Sequence, residues 1–333
     1  MKLLLAVFAL AICFSVNAQI PEAPTQGTGT PSDPFHIASF GNLYWIAITP
    51  GIWSMHFIQT ADIDASESED ITDSDPNTAG WIPIGHVSPF FTGSYDGQGY
   101  MVQNLVQYRQ NLNYSGFFGY MAGAKLSRVH LRDVSISGTD YTGGLAGVAN
   151  AGSVVNHCSV TGSVTGRINV GGLLGYCDGS VTANCYSHAS VTATSDQAGG
   201  FVGLSGWNNP SYHNFCYSTG SVNALNALYK GGFMGRSGSV TLKDCYWDTQ
   251  TSGILTDPLA AGKSTAQMKQ QSTYVWWNFR NLWSITEGIS YPDLDGLSLY
   301  DTPPALTLND LTGSGIGSDP YILMNTAQLN VIR

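Results

Sequence analysis

The string Gly143-Gly144-Leu145-Ala146-Gly147 returns 28 residues later as Gly171-Gly172-Leu173-Leu174-Gly175. Three related strings extend the series: Ser115-Gly116-Phe117-Phe118-Gly119, Gly199-Gly200-Phe201-Val202-Gly203 and Gly231-Gly232-Phe233-Met234-Gly235. The five starts are separated by 28, 28, 28 and 32 residues. A fixed period of this length is typical of a solenoid, in which each unit buries its apolar face only against its neighbours.

Each unit predicts short strands broken by glycine. Ala189, Val191 and Ala193 alternate with Ser190, Thr192 and Thr194, which is the period of a strand with one buried face. A unit of 28 residues has room for about three such strands and three turns. We therefore predict an all-β fold, a right-handed parallel β-helix of about five 28-residue coils. The corners are assigned to Gly144, Gly172, Gly200 and Gly232, where positive φ or close backbone approach favours glycine.

A cysteine track runs in step with the glycine strings and comprises Cys158, Cys185, Cys216 and Cys245. In register, these side chains form a vertical stack inside the coils, about 4.8 Å apart. That spacing permits a disulfide, whereas the parallel orientation of stacked neighbours disfavours one. The favoured interpretation is free, buried thiols that act as small apolar fillers. Pairing of some cysteines stays the alternative.

The first residues predict a secretory signal peptide at 1–18. Lys2 precedes an apolar run from Leu3 to Val16, and Ala18 offers a cleavage site. The run is too short for a membrane span, which needs about 20 residues. Cys13 follows Ile12, a poor residue before a lipidated cysteine, so secretion is favoured over lipid anchoring. The expected location is secreted or at the cell surface, without membrane insertion.

The remaining chain divides into four parts. A β-rich lead-in and cap spans 19–114, the repeats span 115–250, and a capping segment spans 251–305. A short helix is expected to begin at Ser264-Thr265, with Thr265 as its cap. Because Ser32-Asp33-Pro34 returns as Ser318-Asp319-Pro320, 306–333 is interpreted as the truncated start of a second module, with further modules of the same chain beyond it.

The composition of the chain limits the classes of partner that we expect it to bind. Thirteen Lys and Arg against 23 Asp and Glu give a net charge of −10, which disfavours nucleic acid and anionic membrane surfaces. The 39 glycines and the 11% of charged residues suit many strands and tight turns. The expected partner is an extracellular glycan or protein.

The repeat strings resemble the GLUG motif of bacterial surface and secreted proteins, which include adhesins and proteins linked to immunoglobulin A peptidases. The flanks strengthen the resemblance: Trp81-Ile82-Pro83-Ile84-Gly85 precedes the repeats and Cys245-Tyr246-Trp247-Asp248 closes them. The resemblance covers about 27–295 and implies a fold and a location rather than an activity. No His-Glu-x-x-His sequence is present, so the peptidase association does not carry over.

Two sets of residues are candidate metal ligands. The acidic segment 62–75 suits calcium through Asp62, Asp64, Asp70, Asp73 and Asp75, although a solvated acidic loop is the favoured interpretation. No other cofactor is expected. His130, His157, His188 and His213 lie in different repeats at different offsets, so we expect scattered surface histidines that do not align into a metal site.

Two surfaces are candidate binding sites. The run Tyr274-Val275-Trp276-Trp277-Asn278-Phe279, with Trp283, fits either a sugar-stacking platform or, preferably, a cap over the open end of the solenoid. Outward Ser and Thr side chains are expected to form three polar columns on one face. The columns are Asp133, Thr161, His188, Thr219; Ser135, Ser163, Ser190, Ser221; and Ser137, Thr165, Thr192, Asn223.

The leading functional hypothesis is an extracellular structural or adhesive module that presents its faces to glycan, matrix or host partners. A β-helical polysaccharide-degrading enzyme is the alternative, but no catalytic residues can be assigned, and we do not expect an enzyme. A passive surface spacer is the third hypothesis. A calcium-containing cleft with paired carboxylates would favour the enzyme, and flat ladders would favour the other two.

Overall fold

The computed structural model describes residues 20–72 and 78–294. The predicted signal peptide (1–18) and second module (306–333) lie outside these ranges, as do Asp73 and Asp75. Two α-helices, α1 (Phe40–Ile48) and α2 (Thr265–Met268), and three short 3-10 segments, Pro50–Ile52, Ser66–Asp70 and Gln271–Thr273, accompany the strands. Within the described ranges, no helix has the length and apolar character that crossing a membrane requires.

The remaining regular structure is β. The strands in the first part of the chain are β1 (Phe35–Ile37), β2 (His56–Gln59), β3 (Ile63–Asp64), β4 (Thr78–Gly80), β5 (Ser94–Asp96), β6 (Met101–Gln103), β7 (Val106–Arg109), β8 (Phe118–Ala122), β9 (Lys125–Ser127), β10 (His130–Ser137), β11 (Asp140–Gly143), β12 (Ala146–Asn150), β13 (Val154–Asn156) and β14 (Ser159–Gly171). They are followed by β15 (Leu174–Asp178), β16 (Val181–Ala183), β17 (Tyr186–Ser187), β18 (Ser190–Gly199), β19 (Val202–Ser205), β20 (Ser211–Asn214), β21 (Tyr217–Ser218), β22 (Val222–Asn223), β23 (Lys230–Gly231), β24 (Met234–Ser237), β25 (Val240–Lys243), β26 (Tyr246–Asp248), β27 (Ala261–Lys263), β28 (Trp283–Ser284) and β29 (Asp293–Leu294).

The strands stack into three long sheets. Sheet 1 has the order β1-β2-β5-β9-β13-β16-β20-β25, and sheet 3 has the order β24-β19-β15-β12-β8. Sheet 2 has 14 strands, with the main path β27-β26-β21-β17-β14-β10-β6-β3. Among the described strands, the pairs are parallel except for β4 with β7 and β28 with β29. The predicted parallel β-solenoid is thereby confirmed.

Each complete coil takes one strand from sheet 3, one from sheet 1 and one or more from sheet 2. The five strands of sheet 3 define five complete coils, as predicted. The stack nevertheless begins earlier than the predicted boundary at residue 115, because β1, β2 and β5 already belong to sheet 1. The lead-in is therefore part of the solenoid.

The earlier coils lack glycine strings because their interior is filled differently. Phe57, Phe91 and Tyr95 are at most 1% exposed and occupy the core there. Helix α1 adds Leu43 and Ile46, both fully buried, to the same core. These coils meet close backbone contacts with single glycines, as at Gly93, where a Cβ would lie 1.8 Å from the carbonyl oxygen of Met55.

The cysteine track forms the predicted interior column. Strand register aligns Ser159, Tyr186, Tyr217 and Tyr246, so the cysteine that precedes each of them is stacked on the next. These four cysteines and Cys177 are free and buried. The residue before each stacked cysteine turns the chain at positive φ, between 48° and 55°, namely His157, Asn184, Phe215 and Asp244.

The glycines at 144, 172, 200 and 232 are required by close approach. A Cβ at Gly172 would lie 2.1 Å from Ser187 Oγ, and one at Gly232 would lie 1.9 Å from the Trp247 ring. Two reasons for glycine at these corners follow from the sequence, positive φ and close backbone approach. The structure shows close approach.

Residues 264–294 form a strap that lies along the outer face of sheet 2. Its buried rings, Tyr274, Trp277 and Trp283, pack against the outward column Tyr186, Tyr217 and Tyr246. The prediction that this aromatic run caps the open end is therefore wrong: the tyrosine column supplies an apolar side face that requires cover.

The short helix of the strap begins one residue earlier than its predicted cap implied. Ser264 is the N-cap: its Oγ accepts from the backbone N of Gln267 at 3.3 Å, and Gln267 Oε1 accepts from the Ser264 N–H at 2.9 Å. Thr265 Oγ1 instead donates to Asp248 Oδ1 at 3.0 Å. Thr265 thereby ties the strap to the last coil.

Candidate functional site

Two outward columns meet at the edge between sheets 2 and 3. Register within sheet 3 defines the sheet column: Tyr120, Val148, Tyr176, Leu204 and Arg236. The second column is defined by the residues that precede five paired positions of sheet 2. The paired positions are Ser115, Thr142, Val170, Ala198 and Lys230. The residues before them form the corner column: Tyr114, Tyr141, Asn169, Gln197 and Tyr229. The polypeptide places one member of each column on every complete coil.

The last glycine of each repeat string brings these columns together. A Cβ at Gly147 would lie 2.6 Å from the carbonyl oxygen of Tyr141, and one at Gly175 would lie 2.6 Å from its carbonyl carbon. The corner residue turns the chain in the left-handed region, with φ of 58° at Tyr141 and 64° at Tyr114. The repeat signature therefore positions the corner tyrosines directly against sheet 3.

The tyrosines of the two columns contact one another across successive coils. The rings of Tyr114 and Tyr141 are stacked at 5.2 Å with an interplanar angle of 16°, and Tyr141 continues to Tyr176 at 5.8 Å. At the other end, Tyr114 lies 5.4 Å from Tyr120, which lies 4.9 Å from Phe90. We call these five residues the aromatic strip. Phe90 is 39% exposed, and the four tyrosines are half-buried.

A cation and two further aromatic residues lie beyond Tyr176 in the C-terminal direction. The guanidinium carbon of Arg236 is 4.3 Å from the ring centroid of Trp207 and 4.3 Å from that of Tyr229. Trp207 is 51% exposed and Tyr229 is 36% exposed. We call these three residues the arginine clamp.

Hydrogen bonds hold two of the four hydroxyl groups of the strip. Asn150 Nδ2 donates to Tyr120 Oη at 3.0 Å, and Asn208 Nδ2 donates to Tyr176 Oη at 3.2 Å. Burial raises the pKa of Tyr114 and Tyr176, so both hydroxyls stay protonated at neutral pH. The strip thus offers partly exposed aromatic rings beside neutral polar groups, which is the chemistry that holds a sugar ring.

The carboxylate next to Tyr176 is held by the protein itself. Asp178 Oδ1 accepts from the backbone N–H groups of Asn208 at 2.8 Å and Asn209 at 3.0 Å, and Oδ2 accepts from Asn209 Nδ2 at 2.8 Å. Burial acts to raise the pKa of Asp178, but these hydrogen bonds outweigh it and lower the pKa. Asp178 therefore organises the loop that carries Trp207.

The Ser/Thr columns predicted from the sequence are present on sheet 2. Ser135, Ser163, Ser190 and Ser221 align, as do Ser137, Thr165, Thr192 and Asn223. Ser135 and Ser221 are exposed, whereas Ser163, Ser190, Thr165 and Thr192 are half-buried. Ser190 Oγ donates to the carbonyl of Gly162 at 3.3 Å, so part of this polar surface is satisfied internally.

Two described carboxylates of the acidic segment, Asp62 and Asp64, accept hydrogen bonds from other residues of the chain. Asp62 Oδ1 accepts from the Met101 N–H at 2.8 Å. Asp64 Oδ1 accepts from Asn104 Nδ2 and the Ser66 N–H, both at 3.0 Å, and the Asn104 bond is the main cause of its lowered pKa. Within residues 20–72 and 78–294, no group of three or more His, Cys, Asp or Glu side chains is placed to hold a metal ion.

The expectation of surface histidines is wrong. His213 is fully buried, with its Nδ1 2.6 Å from Thr182 Oγ1 and its Nε2 2.8 Å from Ser205 Oγ. His130, His157 and His188 are half-buried, and burial lowers the pKa of all four to about 4. Hydroxyl groups in neighbouring coils are the hydrogen-bond partners of His130, His188 and His213. The four do not form one column, as expected.

The sequence shows partial similarity to two curated proteins. No family model matches the sequence. The chain is 35% identical over 153 residues to halomucin of Haloquadratum walsbyi, and 33% identical over 92 residues to the immunoglobulin A1 protease of Streptococcus sanguinis. These matches cover 45% and 28% of this chain but span only 2% and 4% of the length of those curated relatives.

A solved structure extends the likeness over most of the chain. The protein, from Bacteroides ovatus and provisionally named an immunoglobulin A1 protease, matches with a TM-score of 0.59 and 19% identity. The match covers 82% of this chain and 95% of that chain. At this identity the likeness establishes the shared solenoid fold.

Proposed function

We propose that this chain is an extracellular, non-catalytic β-solenoid module that binds a polysaccharide along the aromatic strip. The observation that carries the proposal is the unbroken ring contact from Phe90 to Tyr176 across successive coils. Coils repeat at about 4.8 Å, so successive residues of an extended sugar chain meet successive rungs of the strip. Partly exposed rings beside neutral hydroxyl groups favour binding over a purely structural role.

The extracellular location and the GLUG-type repeat belong to the same proposal. Secretion is supported by the leader-like segment at 1–18 and by the names of the relatives, a mucin and a protease whose substrate is an immunoglobulin. The absence of a catalytic role is supported by the small share, 4%, of the Streptococcus sanguinis protease that the chain spans. It is also supported by the lack of a His-Glu-x-x-His sequence.

The test is calorimetric titration of the mature chain with a panel of soluble polysaccharides. Replacement of Tyr141 and Tyr176 by alanine removes the C-terminal end of the strip, next to the arginine clamp. Truncation of an aromatic contact in a binding site costs about 1–2 kcal/mol, so we expect about a tenfold loss of affinity for each tyrosine. Tyr212→Ala is the matched control, since Tyr212 is an isolated tyrosine on sheet 1 that is 44% exposed.

Circular dichroism of each variant establishes that the β fold is retained. Unchanged affinity in the Tyr141→Ala, Tyr176→Ala double variant would overturn the assignment of the site. Loss of binding in Ser163→Ala, Thr165→Val instead would move the site to the Ser/Thr columns. A folded protein that binds no polysaccharide or matrix protein would leave the passive spacer as the function.

A further inference from the structure

The arginine clamp lies on the path of a ligand bound to the aromatic strip. Arg236 belongs to the same sheet column as Tyr176, with Leu204 between them. Two coil spacings separate the two side chains, about 10 Å along the solenoid axis. An extended chain that stacks on Tyr141 and Tyr176 therefore reaches Arg236 when it continues in the C-terminal direction.

The Arg236 guanidinium lies against two aromatic rings and, within the described residues, forms no ion pair with a carboxylate. Its carbon lies 4.3 Å from the ring centroid of Trp207 and 4.3 Å from that of Tyr229. A guanidinium that stacks on aromatic rings keeps its in-plane N–H donors available for a further partner. In the described part of the chain, carboxylates pair with Arg128 and Arg167 but not with Arg236. A planar donor edge held in this way suits bidentate recognition of a carboxylate or sulfate group.

The aromatic residues of the clamp are themselves held in place. Asp196 Oδ1 accepts from the Tyr229 N–H at 2.9 Å and from the Gln197 N–H at 2.9 Å. Asp178 holds the segment after Trp207 through the N–H groups of Asn208 and Asn209. Asp178 and Asp196 are thus engaged with backbone donors of the segments that carry Trp207 and Tyr229, so they hold the clamp in place.

We infer that the ligand of the aromatic strip is an acidic polysaccharide and that Arg236 binds its carboxylate or sulfate group; this inference rests on the proposed function. The net charge of −10 opposes unspecific attraction of polyanions. Recognition of an acidic chain therefore depends on a local cation at a defined position. Arg236 supplies that cation at the end of the stacked tyrosines.

The experiment compares three polysaccharides by calorimetry at fixed ionic strength: a neutral β-glucan, alginate as a carboxylated chain, and chondroitin sulfate as a sulfated chain. We expect the wild-type protein to bind an acidic chain at least tenfold more tightly than the neutral one. Preference for alginate identifies a carboxylate as the bound group, and preference for chondroitin sulfate alone identifies a sulfate.

Arg236→Gln should abolish the preference and leave the affinity for the neutral chain unchanged. Arg236→Lys keeps the positive charge but lacks the planar guanidinium, so it should retain only part of the preference for the acidic chain. Arg132→Gln is the matched control, because Arg132 is an exposed arginine on sheet 2 and its loss changes the net charge equally.

Equal losses in Arg236→Gln and Arg132→Gln would reduce the effect to general charge and overturn the inference. Equal affinity of the wild-type protein for all three chains would also overturn it while the proposed function stands. Binding of none of them would overturn both.

Discussion

Asp257 Oδ2 lies 2.7 Å from the backbone nitrogen of Phe233 and accepts its hydrogen bond. In the preceding coils the equivalent N–H bonds to the next coil: that of Leu173 to the carbonyl of Phe201, and that of Phe201 to the carbonyl of Phe233. The carboxylate of Asp257 thus replaces the carbonyl of a coil that is not there. It also accepts from the Met234 N–H at 2.7 Å.

Removal of this carboxylate should destabilise the C-terminal end of the solenoid. Asp257→Ala leaves the N–H groups of Phe233 and Met234 buried without acceptors, and each unsatisfied group costs about 1–3 kcal/mol. We expect a loss of at least about 2 kcal/mol in the free energy of unfolding, measured by urea denaturation. The exposed Asp70 is the control, and Asp70→Ala should change stability by less than about 0.5 kcal/mol. Equal effects of the two substitutions would contradict the capping role.

The third glycine of a repeat string should not tolerate a methyl group. At Gly175, a Cβ would lie 2.6 Å from the backbone nitrogen of Thr142, so the corner column must move. Overpacking of this kind costs about 1–3 kcal/mol, which a thermal melt of Gly175→Ala should show. The control is Gly51→Ala, because a Cβ at Gly51 meets nothing within 4 Å. A melting temperature for Gly175→Ala equal to that of Gly51→Ala would refute the packing argument.

Stability should fall as the pH is lowered from neutrality. Burial lowers the pKa of His213 to about 4, whereas an unfolded histidine has a pKa near 6.5. The unfolded chain therefore binds the proton more tightly. The contribution is fully present above pH 6.5 and is lost progressively as the pH falls toward about 4, by up to about 1.4 kcal/mol per pH unit for this residue.

Urea denaturation at several pH values measures this slope. His213→Gln should make the slope between pH 6.5 and 4.5 shallower by the share of one proton, whatever its effect at neutral pH. A slope identical to that of the wild-type protein would show that His213 does not couple protonation to unfolding.

The five cysteines from Cys158 to Cys245 should react with a thiol reagent only after unfolding. All five are free and buried, and burial raises the pKa of Cys177 to about 12, so its reactive thiolate is scarce. Mass spectrometry after labelling in native buffer and in guanidinium counts the modified residues. We expect none of these five to be labelled in the native protein and all of them in the denatured one. Fewer than five labelled after unfolding would reveal a disulfide within the stack.

Because the sequence repeats, the position of a residue within its coil could be predicted. The glycine strings, the stacked cysteines and the Ser/Thr columns all lie in the expected register, because a solenoid converts a constant offset in sequence into a column in space. The aromatic strip was missed, although Tyr120, Tyr176 and Arg236 each follow the start of a string by five residues. Extension of the columns past the glycine string would have revealed that part of the site.

The remaining features depend on contacts that no local pattern encodes. The corner tyrosine Tyr141 meets Tyr176 only when two coils are stacked. The burial of His213 could not be predicted from the local sequence, because its hydroxyl partner Thr182 lies 31 residues away in the preceding coil. The strap was predicted to cover the end of the stack. Its aromatic sequence indicates that the rings are buried, but it does not indicate which surface they pack against.

The strap also determines how the molecule meets a pulling force. Near its end, Asp293 accepts from the hydroxyl of Tyr186 at 2.8 Å, and Tyr291 donates to Asp248 Oδ2 at 2.8 Å. Tension applied through Leu294 therefore reaches these side-on contacts before it reaches any coil, and it detaches them one after another. The 31 residues of the strap would release roughly 100 Å of chain while the stacked coils, and the strip on their edge, keep their shape under load.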